Sequence, residues 1–160
     1  MEKYRDGHAR QLLAPMTVAE ESAPAFLQSP TRSAKTVPMV GEGGAFKVPV
    51  AINGQLTLDF IVDSGAADVS IPADVVMALW RTGSIAEDDF LDSQTYRLAD
   101  GSTVEKRRFR IRALKVGGRV LENVVGSIAP VTGSLLLGQS FLTRFKSWSI
   151  DNQRQALVLN

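Results

Sequence analysis

The sequence contains no cysteine, which removes thiol nucleophiles, disulfide frameworks and zinc sites built on thiolates. The same absence suits any redox compartment and so locates nothing. Histidine is almost as scarce. A Ser-His-Asp triad or a multi-histidine metal centre would have to be assembled from His8 alone, which lies in a polar N-terminal stretch. No apolar run approaches the roughly 20 residues that span a bilayer. The charged residues 1–10 are not followed by the apolar region of a signal peptide. The chain as written is expected to be soluble and without a membrane partner; a periplasmic or membrane-anchored full-length form stays open. Excess charge is missing too: 18 Lys and Arg stand against 17 Asp and Glu, for a formal net charge of +1. That balance argues against nucleic acid as a partner on bulk electrostatics. Carboxylates, hydroxyls and lysines are what remain for catalysis.

What is present suits one compact domain with extra sequence attached. The chain has 160 residues, of which 44% are hydrophobic, enough for a real core. Residues 1–43 read as a flexible tail and linker. Pro15, Pro24, Pro30 and Pro38 fall there among Ser, Thr, Ala and Glu, and Gly41, Gly43 and Gly44 form a joint. Such a segment buries too little to offset its ordering entropy.

From residue 44 to 160 the pattern is that of strands. Residues 45–52 lead into Asn53-Gly54, a strong hairpin signal. Residues 55–62 return, ending in Phe60-Ile61-Val62, and a short strand at 69–71 follows. Residues 72–79 read as a helix, with Ser70 near its start as a cap, Gly83 as its stop, and Val75, Val76, Leu79 and Trp80 facing inward. Residues 87–94 read as loop. A strand at 95–98, the turn Ala99-Asp100-Gly101-Ser102 and a returning strand from 103 make a hairpin. Residues 107–116 alternate, with Phe109, Ile111 and Ala113 opposite Arg108, Arg110 and Arg112. Gly117-Gly118, an apolar run at 134–137, a short helix within 139–145 and a last hairpin around Asp151-Asn152 complete the chain. Many short strands with one or two short helices predict a mostly β, closed, barrel-like fold.

Asp63 stands where a buried strand meets a polar turn. Three bulky apolar residues precede it, and Ser64 and Gly65 follow. A carboxylate there is partly desolvated, and Gly65 can bring backbone amides towards it. On spacing alone, a tuned carboxylate and an aspartate that merely caps a turn are equal readings.

Two further elements separate those readings. Phe60-Ile61-Val62-Asp63-Ser64-Gly65-Ala66 resembles the hydrophobic-Asp-Thr/Ser-Gly-Ala loop of the retropepsin-like aspartic proteases. Leu135-Leu136-Leu137-Gly138 is similar to that family's later hydrophobic-hydrophobic-Gly element, about 70 residues on. The likeness runs over roughly residues 44–160 and is to single-domain bacterial members. It implies an acid-protease β-barrel and an aspartic endopeptidase with no metal or organic cofactor. Asp63 would be the catalytic residue, Ser64, Gly65 and Ala66 its supporting loop, and Leu136, Leu137 and Gly138 the packing behind it. Pepsin-type chains carry two Asp-Thr/Ser-Gly loops, whereas this one carries a single copy. Asp68 and Asp74 lack the following glycine, and Asp100-Gly101 lacks the apolar approach strand. The resemblance therefore implies a twofold homodimer with one aspartate per chain, the two sharing a proton across about 3 Å. Serine stands where many relatives have threonine, which keeps the hydroxyl and loses a methyl contact.

The same resemblance implies that Ala99, Asp100, Gly101 and Ser102 tip a flap over a bound peptide; as plain chemistry, Asp-Gly is a good hairpin turn anywhere. A dimerising or peptide-binding module without hydrolysis is the alternative on this fold. The basic run from Lys106 to Arg112 reads better as the solvated face of a strand than as a nucleic-acid site. Asp59 and Asp63 would lie about 13 Å apart along a strand, too far to share a metal ion. Trp80 and Trp148 read as core. Phe26-Leu27, an apolar pair in the tail, is a candidate for self-cleavage.

Overall fold

The computed structural model describes residues 35–160, which form one compact unit, Lys35–Asn160. His8, Phe26-Leu27 and most of the expected tail lie outside the described residues. Residues 36–42, expected as linker, are instead paired strands. β1 (Thr36–Pro38) runs antiparallel to the last strand, β11 (Ala156–Leu159), and β2 (Val40–Glu42) folds back on β3 (Ala45–Ile52). The folded part thus begins about nine residues before the expected boundary at 44. Such three-residue strands carry too little periodicity to declare themselves. Gly43 and Gly44 make the turn between β2 and β3, with φ of +58° and +82°.

β3 and β4 (Leu56–Val62) form the hairpin expected around Asn53-Gly54, whose φ values of 50° and 66° suit a tight two-residue turn. β5 (Val69–Pro72) leads into α1 (Ala73–Arg81). Pro72 occupies the N-cap position and no side chain caps the helix; Ser70, the expected cap, is buried in β5 instead. Val76 and Leu79 are the buried residues of α1, whereas Trp80 is 42% exposed. Its indole rests beside Phe90, ring centroids 5.6 Å apart. The expectation of Trp80 as core is corrected accordingly.

Residues 87–94 are not a loop. A 3₁₀ turn (Glu87–Asp89) opens directly into β6 (Phe90–Arg97), which pairs with β7 (Thr103–Val116). β8 (Arg119–Ala129) follows, then β9 (Leu136–Leu137), α2 (Gln139–Leu142), β10 (Trp148–Asp151) and β11.

The larger sheet runs β2-β3-β4-β9-β5-β8-β7-β6, and β3 also pairs with β7 through Val50–Val116, Ala51–Lys115 and Ile52–Leu114. That pairing returns the sheet upon itself and closes a ring of β3, β4, β9, β5, β8 and β7. β1, β11 and β10 form a separate three-stranded sheet. Val48, Val50, Ile52, Phe60, Phe109, Ile111, Leu137 and Leu157 are wholly buried in the shared core. On β7 the buried set switches parity, from Phe109 and Ile111 to Leu114 and Val116. The switch falls at Arg112, opposite Asn123, where the ladder with β8 skips a pair and Asn123 takes φ of +55°. A bent strand can in this way face the core with both halves. Among the described residues no helix is long and apolar enough to cross a membrane.

Candidate active site

β4 delivers Asp63. Its apolar end is fixed by β9, which runs parallel to it: Ile61 N–H donates to Leu135 O at 2.9 Å and Asp63 N–H to Leu137 O at 3.2 Å. β9 lies between β4 and β5, so the chain just after Asp63 crosses the end of β9, where Gly138 follows Leu137. Gly65 N–H donates to Asp63 Oδ1 at 2.9 Å, and Ala66 N–H to Asp63 O at 3.3 Å. The loop therefore turns a backbone amide onto the carboxylate, as the glycine allows. Asp63 is half-buried, and Ser64 and Gly65 are exposed.

Gly138 is the close approach behind this loop. A β-carbon there would stand 2.2 Å from Asp68 O and 2.7 Å from Ala66 O. With only hydrogen in that space, α2 docks its first amides onto the loop: Gln139 N–H reaches Ala66 O at 2.8 Å and Ser140 N–H reaches Ala67 O at 2.9 Å. Two side chains that sequence reasoning passed over reinforce the contact. Gln139 Nε2 donates to Ser64 O at 2.7 Å, and Ser140 Oγ accepts from Val69 N–H at 2.8 Å while donating to Val125 O at 2.7 Å. Their signal was position alone, immediately after the Leu-Leu-Gly element.

Asp63 opens onto a cleft of about 370 Å³ whose walls include Gly65, Ala66, Asp68, Tyr96, Arg97, Leu98, Lys106 and Leu136. The β6–β7 hairpin forms one side. Its turn is closed by Leu98 N–H to Ser102 O at 2.8 Å and Gly101 N–H to Leu98 O at 3.0 Å, with Gly101 at φ +85°. The Ser102 hydroxyl and then its amide hold the Asp100 carboxyl below the usual range. The tip residues Ala99, Asp100, Gly101 and Ser102 are exposed, and the cleft wall comes from Tyr96, Arg97 and Leu98 just before them. Tyr96 O–H donates to Asp68 Oδ2, tying the hairpin to the loop that carries Asp63. Burial pushes the Tyr96 phenol upward, and the hydrogen bond to Asp68 adds to it. A larger groove of about 470 Å³, walled by Met77, Trp80, Phe90 and Arg107 among others, shares no wall residue with this cleft.

The model of the gag-polyprotein putative aspartyl protease family matches residues 48–144, more than half of the chain. The chain belongs to that family of retropepsin-like aspartic proteases. The matched span takes in Asp63, the hairpin and Gly138. Among solved structures, a retropepsin-like aspartic protease from Rickettsia conorii superposes with a TM-score of 0.57, is 22% identical, and covers 78% of this chain and 87% of its own. At that identity the likeness speaks for the fold. No curated protein matches. Membership makes this chain an aspartic protease by family, with the mostly β architecture that goes with it.

Proposed function

We propose that the chain is an aspartic endopeptidase that works as a twofold homodimer, each copy lending one Asp63 to a shared dyad. The observation that carries this reading is the setting of Asp63. It is half-buried, accepts the Gly65 amide at 2.9 Å, and lines a cleft opposite a β-hairpin. A single Asp-Ser-Gly loop per chain is half of what the chemistry needs. Two carboxylates brought together at a twofold axis share one proton. The ionised member draws a proton from water as it attacks the scissile carbonyl, and the protonated member donates to the carbonyl oxygen. In the second step the carboxyl that took the water's proton gives it to the amine nitrogen as the C–N bond breaks, while a hydroxyl of the gem-diol returns a proton to the other carboxylate, so the dyad again holds one proton.

In this reading Ser64, Gly65 and Ala66 hold the carboxylate in place, and Leu136, Leu137 and Gly138 support the loop from behind. The hairpin tipped by Ala99, Asp100, Gly101 and Ser102 acts as the flap, covering a peptide that lies in the cleft as an added strand. Residues 35–160 would be the catalytic unit. Replacing Asp63 by Asn leaves the loop's size and removes the titrating acid. Peptide cleavage is expected to fall by about 10³-fold, measured as kcat/KM on a peptide substrate between pH 3 and 7. Undiminished cleavage by Asp63→Asn would remove the aspartic mechanism.

A further inference from the structure

We propose that the cleft beside Asp63 is a subsite for an acidic side chain of the substrate, with Lys106 as its specificity-determining residue. This rests on the protease reading above and adds the class of peptide that the site takes.

The cleft wall carries four ionisable charges: Asp63, Asp68, Arg97 and Lys106. Each of the two acids accepts a hydrogen bond within the chain. Asp63 accepts the Gly65 amide, and Asp68 accepts the Tyr96 hydroxyl. Among the described residues Lys106 has no ion-pair partner. The ion pairs among the described residues are Lys47–Glu42, Arg110–Asp89, Arg112–Asp89 and Arg154–Asp151, and neither Lys106 nor Arg97 takes part in one. The contrast within β7 is direct, since Arg110 and Arg112 share one carboxylate while Lys106 has none among the described residues. Lys106 is half-buried, with its ammonium 5.8 Å from the centre of the Tyr96 ring.

The surrounding charge points the same way. The positive field of Arg108 also reaches Tyr96, on the face of β7 that Lys106 shares by strand parity. Glu105 has the opposite parity, and Arg97, paired with Thr103, lies on the Glu105 face. A half-buried lysine with no anion among the described residues can donate, and an incoming carboxylate would make a charge-assisted hydrogen bond with it. Leu98, Leu136 and Ala66 supply apolar wall for the stem of that side chain. Tyr96 has two effects here: it engages the competing carboxylate of Asp68, and its ring supports the lysine.

The test begins with a proteome-derived peptide library digested by the full chain at about pH 5.5, where substrate carboxylates are ionised. Mass spectrometry of the products is expected to find Asp and Glu enriched at one position within a few residues of the cut. A well-cleaved peptide is then made with Glu, Gln or Lys at that position. The Glu peptide should exceed the Gln peptide in kcat/KM by about fivefold, and the ratio should shrink as salt is raised. Lys106→Glu should invert the preference towards the Lys peptide, and Lys106→Met should bring the Glu-to-Gln ratio near one. Cleavage sites without acidic enrichment in the wild-type digest would overturn the subsite, whatever the variants do. So would a Glu-to-Gln ratio that Lys106→Glu leaves unchanged. A library left wholly uncut is a different result, and it would remove the protease reading together with the subsite.

Discussion

At Gly138 the chain has room for a hydrogen atom and little else. The β-carbon of an alanine would lie 2.2 Å from Asp68 O and 2.7 Å from Ala66 O, both backbone atoms of the loop that carries Asp63. Neither neighbour can swing aside as a side-chain tip would, so the loop or α2 must move. Gly138→Ala is expected to destabilise the fold by about 3 kcal/mol, read from urea unfolding. A loss below about 1 kcal/mol would mean that the loop is looser than its hydrogen bonds to Gln139 and Ser140 indicate. Asp63 and Gly138 were legible in the sequence because each follows directly on an apolar strand, and that context is local. Asp68 and Tyr96 were not. They meet across 28 positions, and only the closing of the β6–β7 hairpin over the loop brings them together.

β6 shows why some elements escape a reading of the sequence. It is an edge strand, exposed along most of its length, so no inward row of apolar residues marks it. What fastens its start is equally non-local. Asp89, at the end of the 3₁₀ turn, is wholly buried and accepts from Arg110 Nη2 at 2.8 Å, Arg112 Nη2 at 2.6 Å and Ala86 N–H at 2.9 Å. The basic run expected to be a solvated face is thus partly spent on one inward carboxylate. Burial by itself would raise that acid. The bonds from Arg112, Ala86 and Arg110, with the charge of Arg112, outweigh it and hold the carboxyl at about 2, below its ordinary 3.8. The sign of the pH effect follows. A folded value below the unfolded one gives stability that is complete above pH ~4 and is lost as pH falls through about 2. Its size is about 2 kcal/mol. Asp89→Asn should therefore cost about that much at pH 6, with the gap to wild type closing below pH ~3 in urea titrations. A gap that stays constant down to pH ~2 would show that the ionised form is not what stabilises the fold.

The second fastening of the same hairpin is Tyr96 on Asp68. Tyr96→Phe keeps the ring and removes the hydroxyl. It is expected to lower kcat/KM by about threefold to tenfold while changing unfolding free energy by about 1 kcal/mol. Equal kcat/KM for the two proteins would mean that the tie plays no part in positioning the hairpin.

Over the whole molecule, the ring of strands was readable from hairpin signals and alternation. Its closure was not. The β3–β7 pairing joins residues more than 60 positions apart, and β1 finds its partner at the far end of the chain. Both depend on collapse around Val48, Phe60, Ile111 and Leu157, not on any local motif. The single Asp-Ser-Gly loop has its consequence at this scale too: under the function proposed above, the unit that cleaves would be two chains. Mixing tests it most directly. Wild-type protein is equilibrated with a ninefold excess of Asp63→Asn and assayed for peptide cleavage per wild-type chain. If each dyad needs an aspartate from both copies, about nine in ten wild-type chains are held in mixed dimers, and activity per wild-type chain falls about tenfold. Activity that stays in simple proportion to the wild-type chains present would contradict the shared dyad.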